Sequence, residues 1–212
     1  MTKAFETNQG PKQECRDLIV KHSKQLNPKT IFTLPAKQGL CVKTFKKHLK
    51  PSTIIGVERD EKDFKIIQDT LNMQCYKSDI RQYVYSQTLK TNHHDVVFLD
   101  YFSFLNMNVI GDINAFINND NILHPKKQFI LAITLAKSMR GQTEDMLNYM
   151  SKVIVDGNQR NADNSLEDVE EALLSVLIDS HSNLGIECLV KKEYKAQQQS
   201  MPMYFLMFLL TK

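Results

Sequence analysis

From Thr30 onward, short apolar runs alternate with longer stretches in which apolar positions recur every three or four residues. The first kind of run predicts strands and the second predicts helices facing a core on one side. Strands are expected over residues 30–34, 53–58, 74–77, 95–99 and 129–136. Helices fall between them at 39–49, 61–71, 80–89 and 110–118. Such alternation predicts a parallel sheet joined by crossover helices. Val96-Val97-Phe98-Leu99 and Phe129-Ile130-Leu131-Ala132-Ile133 are apolar without alternation, as in strands covered on both faces.

The two ends depart from that rhythm. Leu18, Ile19, His22 and Leu26 fall at helical spacing ahead of Asn27-Pro28, predicting a short helix over 14–26. It belongs to an N-terminal extension, residues 1–29, before a domain spanning 30–212. Beyond the fifth strand, helices are expected at 144–154 and 166–178, separated by a polar, loop-forming break at 156–161. The β-rich runs 185–194 and 202–210 close the chain, and the polar link between them predicts an antiparallel pair. The second run is too apolar for an exposed edge and is expected inside the sheet.

Composition narrows the picture modestly. A chain of 212 residues, 42% hydrophobic, suits one domain, and 27 basic against 24 acidic side chains permit an anionic partner without requiring one. Cys15, Cys41, Cys75 and Cys188 form no CxxC pair and read as reduced core thiols rather than zinc ligands. The His93-His94 pair precedes the fourth strand, at the end of the sheet opposite to ligand sites, and reads as surface or turn. No apolar run reaches the roughly 18 residues of a membrane span, and the first residues lack a signal-peptide pattern. An intracellular protein of the cytoplasm or nucleus, without membrane association, is expected. There is no P-loop and no GxSxG elbow.

Candidate chemistry gathers at the C-terminal ends of the strands, where open α/β sheets bind ligands. The first strand runs into Thr33-Leu34-Pro35-Ala36-Lys37-Gln38-Gly39, whose glycine permits close backbone approach at a helix entrance. The second ends on Glu58, which either binds a ligand or begins a loop; Asp60 is the better cap for the helix that follows. Ser78-Asp79-Ile80 follows the third strand, with Asp79 equally suited to capping. The fourth strand ends in Leu99-Asp100-Tyr101-Phe102, whose rings either stack on a planar substrate or close the core. Beyond the fifth, Lys137 and Arg140 set two cations on the same rim. Lys43, Lys46, Lys47 and Lys50 share a helix face that is either a polyanion surface or simply solvated.

Five parallel strand–helix units, a helix-rich insert and a terminal antiparallel hairpin resemble the class I methyltransferases that use S-adenosylmethionine. The resemblance spans residues 30–212 and implies an α/β, Rossmann-like, doubly wound sheet of seven mostly parallel strands. A dehydrogenase would continue with a sixth parallel strand instead. It implies S-adenosylmethionine as cofactor, held by the loop of Leu34, Pro35 and Gly39, by Glu58 on the ribose with Arg59 beside it, and by Asp79 and the Ile80 backbone on adenine. Asp100, next to the cofactor, and Tyr101 become the catalytic candidates. Phe102, Lys137 and Arg140 become contacts for a nucleic acid acceptor. Two departures stand out: the first loop lacks the family's acid and second glycine, and the fourth strand lacks its two prolines. They leave open a domain that kept the fold and serves as a catalytically inactive binding or scaffolding subunit.

Overall fold

A computed structural model describes residues 10–86, 93–120, 122, 128–137, 165–180, 183–195 and 201–211. The helix expected at 144–154, the break at 156–161 and Arg140 lie outside the described residues.

Seven strands form one sheet: β1 (Thr30–Thr33), β2 (Thr53–Glu58), β3 (Gln74–Lys77), β4 (Val96–Asp100), β5 (Gln128–Ala136), β6 (Gly185–Tyr194) and β7 (Met203–Thr211). Their order is β3-β2-β1-β4-β5-β7-β6. The first five are parallel, and β7 runs antiparallel between β5 and β6. This is the expected Rossmann-like α/β sheet with its terminal hairpin. Chain order reverses between β1 and β4, which opens a crevice at their C-terminal ends.

The described helices are α1 (Pro11–Ser23), α2 (Leu40–His48), α3 (Glu61–Thr70), α4 (Ile80–Ser86), α5 (Met107–Ile117) and α6 (Leu166–Ser180). Against one face of the sheet pack Cys15 and Ile19 of α1, Val42 and Phe45 of α2 and Ile67 of α3. Against the other pack Tyr83 of α4, Ile113 and Phe116 of α5 and Leu173 of α6. Successive strand residues divide between the two, Phe98 to the first and Leu99 to the second, as the pleat requires. Met203 to Leu210 are buried throughout, so the last strand lies inside the sheet as its apolarity requires.

Local chemistry accounts for the shifted boundaries. Pro11 starts α1 ahead of residue 14, a proline being tolerated in the first turn where no intrahelical donor is needed. Asn106 starts α5 ahead of residue 110 by accepting the amides of Asn108 and Val109 at 2.9 and 3.1 Å. Gly39 stands just outside α2 as its cap, at φ 61°. The reading of His94 as surface or turn is overturned: it is 1% exposed, with its ring among those of Phe32, Tyr83 and Phe116. Among the described residues, no helix is long and apolar enough to cross a membrane.

Candidate active site

A cleft of about 480 Å³ opens at the strand ends of β1, β2, β3 and β4, within the range that holds small ligands. Leu34 and Pro35 form one wall. They lie against β2 because residue 56 is glycine: a Cβ there would stand 2.8 Å from Pro35 Cδ and from the Thr33 carbonyl oxygen. Glu58 and Arg59 follow from the end of β2, and Asp79, Ile80 and Arg81 from the turn into α4. The Ser78 amide donates to the Glu58 carbonyl at 3.2 Å and couples these two segments.

Both acids are half committed. The Asp60 amide donates to Glu58 Oε1 at 2.8 Å, while Asp60 itself caps α3 through the amides of Lys62 and Asp63. Those two amides hold the Asp60 carboxyl below the usual range. Asp79 caps α4, its Oδ1 accepting the Gln82 amide at 2.8 Å. Each side chain is thus pinned by one oxygen, and the other makes no protein hydrogen bond among the described residues. A carboxylate has about four lone-pair positions, so both keep capacity for a ligand.

Tyr101 and Asp112 close the opposite wall. The Tyr101 hydroxyl donates to Asp112 Oδ2 at 3.0 Å, and Arg81 Nε approaches Asp112 Oδ1 at 3.1 Å. Loss of solvent raises the Asp112 carboxyl above its ordinary range, opposed by its two donors. Burial likewise drives the Tyr101 hydroxyl upward, so it serves as a donor rather than a base.

Other expected site residues stand apart. Gly39 does not line the cleft; a Cβ on it would fall 2.3 Å from a Leu71 methyl, so its bare face receives Leu71. Asp100 faces the α1 side of the sheet, where its carboxylate accepts from the Thr134 hydroxyl and meets the buried Lys12 ammonium at 3.9 Å. That places Asp100 in a separate small pocket beneath α1, with Cys15 and Tyr194. Phe102 is 46% exposed, with Lys12 Nζ 6.0 Å from its ring centre. Lys137 pairs with Glu193 at 3.2 Å, outside the cleft lining, and that partner raises its pKa. Lys46 donates to the carbonyls of Leu71 and Asn72, tying α2 to the turn after α3. Lys43, Lys47 and Lys50 remain exposed. Reading strand ends located Glu58 and Asp79, but the Arg81–Asp112–Tyr101 contacts had no local sequence signal.

No family model matches the chain, and no curated protein matches it in sequence. Solved structures do match in fold. Trm1 from Pyrococcus horikoshii in complex with S-adenosyl-L-methionine has a TM-score of 0.62 at 13% identity; the match covers 96% of this chain and 56% of that one. The methyltransferase domain of bacterial CtHen1-CN has a TM-score of 0.58 at 12% identity, covering 96% of this chain and 100% of that one. The N-methyltransferase NodS from Bradyrhizobium japonicum WM9 has a TM-score of 0.54 at 10% identity, with coverage of 97% and 100%. At these identities the likeness establishes the methyltransferase-type Rossmann-like fold.

Proposed function

We propose that the chain is an S-adenosylmethionine-dependent methyltransferase that acts on nucleic acid. The observation that carries the cofactor reading is the pair Glu58 and Asp79: neighbouring strand ends bring both into one cleft, each pinned by a backbone amide and each with an oxygen to spare. Glu58 accepts from the ribose hydroxyls, the role an acid at this strand end plays in nucleotide-binding sheets. Asp79 accepts from the adenine amine, beside the Ile80 amide. The adenosine half of the cofactor therefore fits the residues present. Leu34 and Pro35 supply an apolar wall. Bound S-adenosylmethionine supplies an electrophilic methyl group, and the protein's main task is to hold an acceptor atom in line with it.

Exposed Phe102, next to Tyr101 at the end of β4, supports an acceptor with a planar ring, since aromatic faces stack on unpaired bases. Lys137 and Arg140 are proposed as phosphate contacts. Lys137 has to exchange Glu193 for phosphate to serve in that way.

The alternative is a binding or scaffolding subunit without the reaction. The loop after β1 favours it, because its one glycine, Gly39, packs against Leu71 in the core and does not line the cleft. Incubation with radiolabelled S-adenosylmethionine and separate pools of RNA, DNA and protein tests these readings. Label transferred to RNA or DNA supports the proposal. Transfer to protein alone removes the nucleic acid part, and cofactor binding without any transfer favours the inactive subunit.

A further inference from the structure

Arg81 makes two fixed contacts in the cleft that the acids alone do not explain. Its Nε meets Asp112 Oδ1 at 3.1 Å and its Nη2 donates to Asn108 Oδ1 at 3.2 Å. Both partners sit on α5, so the guanidinium bridges α4 and α5 along the cleft wall. It lies against the helix at Gly111, where a Cβ would stand 3.5 Å from Nη1. Asp112 is held on its other oxygen by the Tyr101 hydroxyl. Among the described residues, no hydrogen bond ends on Nη1. Arg81 lines the cleft, its guanidinium is held by two bonds, and its Nη1 keeps two N–H donors for a ligand.

We propose that Arg81 is a specificity-determining residue that donates from Nη1 to the N7 acceptor of a bound adenine. The inference rests on the reading that the cleft takes an adenosine-bearing donor. Arg81 lies two residues after Asp79, and Asp79, Arg81 and Asp112 all line the cleft. Ionised carboxylates only accept hydrogen bonds, and guanidinium only donates. Adenine presents an amine donor beside the N7 acceptor along one edge. An acid and an arginine lining one cleft supply the acceptor and the donor that this edge calls for.

Isothermal titration with S-adenosylhomocysteine and its 7-deaza and 3-deaza analogues, on wild type, Arg81→Lys and Arg81→Met, tests the contact. A hydrogen bond from a charged donor predicts that wild type prefers S-adenosylhomocysteine over the 7-deaza analogue by about 10- to 100-fold. Arg81→Met is expected to bind those two ligands alike, and Arg81→Lys, a charged donor without the planar fork, to show a smaller preference than wild type. The ratio is read within one protein, so it is insensitive to any change in folded fraction. Equal 7-deaza discrimination in wild type and Arg81→Met overturns the inference, as does a loss in that variant spread evenly over all three ligands. If wild type binds none of them, the cofactor reading fails first and takes this contact with it.

Discussion

Lowering the pH from 7 to 5 is expected to weaken the fold through His94. The side chain is 1% exposed, its ring centre 5.6 Å from that of Phe32 and 6.2 Å from that of Phe116. Burial pushes its pKa down from 6.5 to about 3, with a smaller like-charge contribution from His93. Below pH 6.5 the unfolded chain takes up a proton that the folded chain refuses until about pH 3. Stability is therefore complete above the unfolded pKa and falls as pH drops through that window. At about 1.36 kcal/mol per pH unit, the loss at pH 5 is about 2 kcal/mol, equivalent to a fall in Tm of about 4–8 °C in a chain this long. Urea denaturation of wild type and His94→Phe at both pH values measures it. Phenylalanine fills the ring space without titrating but forgoes the Tyr83 hydroxyl, 3.3 Å from Nε2. The difference between the two pH values, rather than absolute stability, is the quantity to compare. The variant is expected to lose about 2 kcal/mol less than wild type. Equal losses would refute the burial argument.

Gly39→Ala combines a left-handed backbone with a Cβ driven into Leu71. It is expected to cost about 2–4 kcal/mol in chemical denaturation, partly recovered in a Gly39→Ala/Leu71→Ala double variant. Asn106→Ala removes the α5 cap and is expected to cost about 1 kcal/mol; an unchanged Tm contradicts the capping geometry. Tyr101→Phe withdraws one donor from a carboxyl whose pKa desolvation already raises. Its expected cost of about 1–2 kcal/mol at pH 7 shrinks as acid protonates Asp112, which denaturation across pH would reveal.

The sheet was legible because strands buried on both faces leave continuous apolar runs, and because the terminal run was too apolar for an edge. Helix ends were legible where a cap was recognised, as at Asp60, and missed where it was not, as at Asn106. Glu58 and Asp79 could be located from strand ends, since parallel strands carry their C-terminal residues to one edge. Residues set by long-range packing could not. Nothing local to Gly39 reveals Leu71, nothing local to His94 reveals Phe32, and the link from Arg81 to Asp112 exists only once α4 and α5 pack together. Asp100 illustrates a different limit. The pleat directs its side chain toward α1, a direction evident only once the neighbouring strand residues have been assigned to faces.

Isothermal titration of wild type and Glu58→Gln with S-adenosylmethionine tests the central claim most directly. Glutamine keeps the side-chain length but loses the charge that strengthens hydrogen bonds from ribose hydroxyls. The account predicts saturable binding to wild type, weakened by about 10- to 100-fold in the variant, with the fold intact by circular dichroism. Absence of heat with wild type, or equal affinity in both proteins, would contradict it.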